Sequence, residues 1–555
     1  MSGGLRAGVD RLRVPLALGL AALALAFGLT SGRGLEHDRA DFAFCNQNEI
    51  SSFDPAIATG APEGRILRAL YEGLTRPDPA TLAPLPGMAH AWEESADGLT
   101  WRFHLRTDSR WTNGDPVTAH DFAWSWRRLL HPATGAAYAN LLWMVVGARD
   151  YTSNASGEAP LFGAGPADDG VGIEAVSDTE LLVRLATPTP YLPELAAYYP
   201  LYPVHHGCLE RHGRRWIRVE HIVTNGPFAV AERRVRDRMR LVRHEGYWGA
   251  DEVSLRTVDA YAADGNTTQL NMYLTGQVDW MIKPPTSLYD VLLPRPDVHA
   301  GPQFGMTFYR FNTTRPPFDD PRVREALTLA LDRRSLAVDV MRGGEAPARS
   351  FVPPGFPSYT PAEMAPHDPE RARALLAQAG YPGGEGFPPF EVLYPSNEMT
   401  RDFCAASVAQ WRAELGIDAH LVNQVWKVYL DSSKQGLYDV AWSAWIGDYL
   451  DASTFLDIFT ADSGNNRTGW RDDGYDALLG RAAAERDPAV RADLYRQAEQ
   501  RLLDGYPVGV VYQRISLNLV SPRVRGFHDT LLDVHPLRDL SVHGPPGPWS
   551  PGDTR

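Results

Sequence analysis

Cysteine is scarce. Cys45, Cys208 and Cys404 are the only three in 555 residues, with no CxxC pair among them. That spacing supports neither a disulfide framework nor a zinc site, and the odd count leaves at least one thiol without an intrachain bridge. Catalytic signatures are missing as well: the chain has no GxSxG elbow, Walker loop, HExxH pair or GxGxxG turn. The fingerprints of serine hydrolases, P-loop enzymes, zincins and dinucleotide-binding folds are therefore absent. Positive charge is in deficit, with 54 Lys and Arg against 68 Asp and Glu and a net charge of -14. Phosphate backbones attract basic surfaces, so nucleic acid is not an expected partner. Past residue 29 no apolar run is long enough to span a bilayer, and no internal repeat is visible.

The residues present are those of a globular chain, 44% hydrophobic and 22% charged. At roughly 150 residues per domain, the length implies about three lobes. Fifteen Trp is a high count, suited both to ligand pockets and to cores. At the N-terminus, Arg6, Arg11 and Arg13 precede an apolar run from Val14 to Leu29. This is the pattern of a secretory signal, which left uncleaved would act as an anchor. No Cys follows at once, so the lipid-attachment pattern is missing. The expected location is the periplasm or the outer face of the cytoplasmic membrane.

Periodicity and punctuation place the elements. Phe42–Asn46 reads as a strand and Pro62 opens a helix with Ile66, Leu67, Leu70 and Leu74 on one face. Trp101–Arg106 and Glu180–Leu185 alternate as half-buried strands. Thr118 and Asp121 form a capping box for the following helix. Asn154–Gly172 reads as a surface loop, and Ile222–Phe228 as a strand entering a turn. The basic run Arg233–Arg243 reads as a solvated strand face, and Asn266–Thr275 as a helix. Phe308–Asn312 is a short strand; Asp320 and Pro321 suit N-cap and N1 of the next helix. Strand Phe390–Tyr394, helix Arg401–Leu415 with Gly416 as its C-cap, and strand Ile417–Val422 imply a parallel βαβ unit. Val508–Tyr512 is a late strand, and 544–555 a Pro/Gly-rich tail.

One stretch, Tyr438–Asp448, carries the functional question. Tyr438–Trp445 is a strand bounded by Gly436 and Gly447, and Asp448 stands at its end. Ligands of parallel sheets bind beyond the carboxyl ends of strands. Asp448 is thus either a loop acid or the receptor of a cationic ligand. Elsewhere, His205-His206 with His212 suggest a metal at first sight, but adjacent histidines project apart and no carboxylate pair lies at ligand spacing. No metal site and no cofactor are assigned. Asp and Glu are plentiful enough for a glycosidase pair, yet nothing selects one, which leaves a secreted hydrolase as a weak rival.

The block Ala89-His90-Ala91-Trp92, Asp97–Arg106 and Trp111–Phe122 resembles the signature of the family 5 extracellular solute-binding proteins, the peptide-binding components of ABC importers. Tyr71-Glu72-Gly73-Leu74, Val223–Gly226, Tyr247-Trp248, Phe318–Arg324 and Asn423–Lys427 agree in order. The resemblance spans about residue 42 to 530. It implies an α/β periplasmic-binding-protein-like fold of type II, enlarged by an extra lobe, with mixed sheets and two main lobes joined by a hinge. The implied division is a leader at 1–40, lobe I at 41–76, 188–305 and 511–540, extra lobe II at 77–187, lobe III at 306–510, and a tail at 541–555.

The resemblance also implies a function: a monomeric, non-catalytic binder that encloses a peptide between lobes and delivers it to permease subunits. Backbone recognition by strand addition would make it sequence-tolerant. On matching positions, Asp448 falls on the acid that receives the peptide α-ammonium, and Trp445 and Trp426 on pocket-lining tryptophans whose competing fate is core. Tyr138 matches a tyrosine near the ligand, Glu63 a ligand-proximal acid, and Arg342 a base that meets the carboxylate end of certain peptides. Departures are also present. Trp442 replaces an arginine, Gly305 and Ile446 replace a disulfide pair, and Thr400 and Ser433 replace the histidine and arginine that catch the peptide C-terminus. A non-peptide solute such as a metal chelate, haem or an opine-like compound is the alternative on the same fold.

Overall fold

The computed structural model describes residues 39–154, 170–263, 265–356, 359–545 and 547. The leader, most of the expected loop at 154–172 and nearly all of the tail lie outside the described residues.

One mixed sheet organises the chain. Among the described residues its strands run in the order Ala419–Gln424, Phe390–Pro395, Val440–Ile446, Val298–Phe311, Val508–Val520, Trp280–Ile282, Phe42–Cys45, Thr257–Tyr261, Arg238–Arg243 and Phe228–Arg234, with Ala346–Pro347 beside Val508–Val520. Phe390–Pro395 is parallel to both Ala419–Gln424 and Val440–Ile446, which is the βαβ unit expected from sequence. A separate antiparallel sheet is built from Ala89–Glu94, Thr100–Leu105, Glu180–Arg184 and Ile173–Ser177.

The centre of the large sheet differs from the sequence reading. Phe308–Asn312 and Val508–Tyr512 are parts of two long strands, Val298–Phe311 and Val508–Val520, paired antiparallel along their length. Gly301, Pro302 and Gly305 disguise the first strand. They are tolerated because the register shifts between Pro302 and Met306, and such irregularities accommodate residues that a regular ladder rejects.

Other boundaries moved for local reasons. The first helix is Ala61–Leu70, and Tyr71 is already extended, so Leu74 is buried outside the helix. Ile222–Asn225 forms no strand. The Asn225 side chain accepts from Glu72 N at 3.2 Å and donates to Glu72 O at 3.0 Å, taking the place of ladder bonds. Gly226 follows because a Cβ there would lie 2.5 Å from the Leu70 carbonyl carbon. The basic run is a hairpin rather than one strand, turning at Arg236 in the left-handed region. Its charges are matched: Arg233 by Glu49, and Arg238 and Arg240 by buried Asp259.

The caps hold as read. Thr118 N donates to Asp121 Oδ2 at 2.8 Å, Asp320 Oδ1 accepts from Arg322 N at 2.9 Å, and Gly416 is left-handed after helix Glu398–Leu415. Trp111, Trp126, Trp280 and Trp411 are fully buried, so core is their fate. All three cysteines are buried and unpaired.

Scattered pieces of the family signature converge on a structural cluster. Buried Glu72 accepts from Tyr247 Oη at 2.5 Å, Trp248 Nε1 at 2.6 Å and Arg538 Nη1 at 3.1 Å. Removing one partner of a buried ion pair strands the other. Glu72→Ala is expected to cost about 3 kcal/mol or more, whereas Tyr247→Phe should cost about 1 kcal/mol. Equilibrium denaturation checks both, and equal costs would contradict this account of the cluster.

Candidate functional site

The strand Val440–Ile446 ends in Gly447, whose N–H donates to Phe304 O at 2.8 Å. A Cβ at Gly447 would lie 2.4 Å from the Phe304 ring, so only glycine fits this close approach. The next residue is Asp448. Its backbone N–H donates to Thr454 Oγ1 at 3.1 Å, and the indole N–H of Trp445 donates to Thr454 O at 2.7 Å. One short helix, Ser453–Leu456, thereby fixes both residues.

Facing Asp448 is a tyrosine cluster from a distant part of the chain. Tyr198 donates its hydroxyl to Asp448 Oδ1 at 3.0 Å. The Tyr138 ring lies 5.7 Å from that of Tyr198 and 6.3 Å from that of Tyr199, edge to face. Beside them Tyr191 stacks on Tyr449, centroids 4.8 Å apart and planes within 8°. Asp448 and Tyr198 line a small pocket together with Arg68, Glu194, Ala197, Leu532 and Val534.

The electrostatics separate Asp448 from its neighbours. Asp451, three residues on, is neutralised by Arg491 through bonds of 2.7 and 2.9 Å. Asp448 has no cationic partner among the described residues; burial pushes its pKa up to about 6, and the Tyr198 hydroxyl offsets only part of this. A carboxylate desolvated without a counter-charge is held at a cost that a cation entering the pocket would relieve. Glu194, in the same pocket, is likewise raised by burial, and its Oε2 has no hydrogen-bond partner.

Of the six residues singled out from sequence, the structure gathers Asp448 and Tyr138 around Tyr198, with Trp445 joined to Asp448 through Thr454. The other three have different surroundings. Glu63 is buried and accepts from Ser51 N at 3.0 Å and Ser51 Oγ at 2.9 Å, tying the preceding turn to its helix. Trp426 is 58% exposed and stacks on Tyr429 at 5.5 Å. Arg342 is exposed, left-handed and paired with Asp290.

Among the departures, Trp442 packs in a core cluster opposite Tyr309, and Thr400 and Ser433 are buried. Gly305 and Ile446 are cross-strand partners. Sequence reading missed Tyr198, Tyr191, Glu194 and Arg68. The run Tyr191 to Tyr202 holds four tyrosines with no helical or strand period, and that aromatic density was the one available signal. Among the described residues no group of three His, Cys, Asp or Glu could hold a metal ion. His205 meets Asp115 at 2.9 Å, and His206 meets Glu210 at 3.3 Å.

The pocket joins a strand-end carboxylate of one half of the chain to a tyrosine cluster of the other. The chain belongs to the bacterial extracellular solute-binding proteins of family 5, whose description, family 5 Middle, matches residues 83–467. It is 33% identical over 522 residues to the periplasmic oligopeptide-binding protein OppA of Salmonella typhimurium, covering 92% of this chain and 94% of that one. Among solved structures, the murein tripeptide binding protein MppA of Escherichia coli superposes with a TM-score of 0.80 at 30% identity, covering 91% of this chain and 99% of that chain. Haemophilus influenzae OppA in complex with the peptide RPPGFSPFR gives a TM-score of 0.77 at 31% identity, covering 91% and 99%. The expected type II periplasmic-binding-protein-like architecture is thus borne out.

The Asp448 environment makes a testable statement about the empty protein. A carboxyl raised in the folded state binds its proton more tightly there than in the unfolded chain. Its contribution to stability is therefore full below about pH 4 and is lost as pH rises through about 6. The loss is of order 1–3 kcal/mol. Ligand-free Asp448→Asn should melt higher than the parent at pH 7.5 and close to it at pH 4; equal melting temperatures at both values would show that Asp448 is well solvated.

Proposed function

We propose that this protein captures oligopeptides outside the cytoplasmic membrane and delivers them to the permease subunits of an ABC importer, without chemistry on the ligand. The observation that carries the reading is the desolvated, uncompensated carboxylate of Asp448 at a strand end in the pocket. An α-ammonium placed there supplies the missing charge and donates hydrogen bonds to a fixed acceptor. Tyr198 and Tyr138 close around it, and the peptide backbone extends by strand addition along Ser443–Ile446, beyond the residues that pair with Phe390–Pro395.

In this reading the protein acts as a monomer. Lobe I comprises 41–76, 188–305 and 511–540, lobe II 77–187, and lobe III 306–510. Closure bends the two central strands near the register shift between Pro302 and Met306, and the ligand stabilises the closed state by touching both sides. The N-terminal segment serves as the export signal. Among the described residues no helix is long and apolar enough to cross a membrane.

The test is calorimetric titration of Asp448→Asn with short peptides. Truncating a buried charge partner costs about 2–5 kcal/mol, so affinity for peptides with a free amino terminus should fall at least about thirtyfold, and N-acetylation of the peptide should weaken parental binding similarly. Undiminished affinity in the variant would remove Asp448 from the site. Mass spectrometry of the protein purified without denaturation should find peptides; a metal chelate, haem or opine-like compound in their place would overturn the peptide reading.

A further inference from the structure

A second concentration of charge, opposite in sign to Asp448, lies around the strands Trp280–Ile282 and Val508–Val520. Lys283 follows the strand Trp280–Ile282 in a left-handed conformation, with its backbone N–H donating to Leu517 O at 2.9 Å. Its side chain is reached by solvent, yet burial, then Arg514, pushes its ammonium down to about 8, and Asp533 offsets only part of this. Arg514 lies half-buried on Val508–Val520, where the two central strands shift register. Its Nη1 donates to Thr307 Oγ1 at 3.3 Å, and its Nε has no partner. Arg65, from the helix Ala61–Leu70, hydrogen-bonds only the neutral groups of Asn46 and Gln47 and lies over the Trp280 ring at 6.0 Å.

The acids whose charge reaches this group are already engaged: Glu345 accepts from Gly343 N at 2.9 Å and Glu63 from Ser51 N at 3.0 Å. Asp533 accepts from Asn518 Nδ2 at 3.0 Å and meets His535 Nε2 at 2.9 Å. Lys283, Arg514 and Arg65 therefore have no ion pair among the described residues, in a chain whose net charge is -14. Other buried arginines divide: Arg128 meets Asp54 and Arg238 meets Asp259, whereas Arg324 and Arg333 donate to backbone carbonyls.

The local sequence makes room for the arginine. A Cβ at Gly305 would lie 3.1 Å from Arg514 Cδ and 3.2 Å from Trp445 O. The stem of Arg514 thus runs beside the strand that leads to Asp448, three residues beyond Trp445 and at most about 10 Å along the chain. Leu532 and Val534 line the Asp448 pocket on either side of Asp533, so the cationic group and the Asp448 pocket border one another.

Resting on the peptide reading above, we propose that Lys283 and Arg514 form a carboxylate-accepting subsite in the same cleft, selecting peptides with an acidic group within about the first three residues. At roughly 3.3 Å per extended residue, that range matches the distance from the ammonium receptor. A guanidinium and an ammonium together hold a carboxylate by charge-assisted bonds. The carboxylate is either an acidic side chain or the C-terminus of a very short peptide.

The test compares Ala-Glu-Ala, Ala-Gln-Ala and the C-terminal amides of both by calorimetry, against the parent protein and the Lys283→Gln, Arg514→Gln double variant, with circular dichroism to establish folding. The parent should prefer Glu over Gln at least about tenfold, and the double variant should bring that ratio close to one. If the side chain is not the source, the acid-over-amide ratio shows the same preference and the same collapse, which supports the subsite with the C-terminus as its ligand. Ratios that persist in the double variant, or that are near one in the parent, overturn the subsite. Asp448-dependent binding of peptides without any acid preference leaves the peptide function standing alone. Binding of none of the four to the parent overturns both.

Discussion

The ladder between Val298–Phe311 and Val508–Val520 is the constraint on which the rest depends. It lies at the middle of the large sheet, with the parallel βαβ strands on one side and the strands around Phe42–Cys45 on the other. Every other strand of that sheet reaches its place through this pair. It is also irregular where Gly301, Pro302 and Gly305 occur, so the most central element is also locally the least regular. Strand Val440–Ile446 pairs directly with it from Gly305 to Phe311. The register of that pairing fixes Trp445 opposite Met306 and so sets where the strand stops and Asp448 begins.

Burial then sorts the acids near the strand end. Asp451 is paired by Arg491, Asp448 is not, and Glu194 from the opposite side is not. Residues of the same type within a few positions thus have different fates, decided by whether a guanidinium reaches them. Tyr198 donates a single neutral hydrogen bond to Asp448, which orients the carboxylate without discharging it. The Lys283 and Arg514 group is the mirror case, cations without an ion pair among the described residues.

Local chemistry was legible where it is written in a few adjacent residues. The Thr118–Asp121 box, the Asp320-Pro321 start and the Gly416 stop depend on neighbours in sequence, and each formed as read. The βαβ unit was legible from alternating periodicity. The two long strands were not, because their Gly and Pro are excused by a partner more than two hundred residues away. Ile222–Asn225 failed as a strand because the Asn225 side chain clamps Glu72, a contact no local pattern encodes. At the site, Asp448 was legible from strand-end position and family resemblance. The absence of a counter-charge was not, since it depends on where Arg491 and Arg68 lie in space. Glu63 and Arg342 matched family positions, yet here they engage Ser51 and Asp290.

The three buried thiols have a chemical consequence. Burial pushes Cys45 and Cys404 up to about 12 and raises Cys208 as well. At neutral pH a thiol of pKa about 12 is ionised to roughly one part in 10⁵, and only the thiolate attacks a disulfide or a peroxide. These side chains are therefore nearly inert toward exchange and oxidation while the fold is intact. With all three thiols buried, the folded chain offers no exposed cysteine through which it could be trapped in a mixed disulfide.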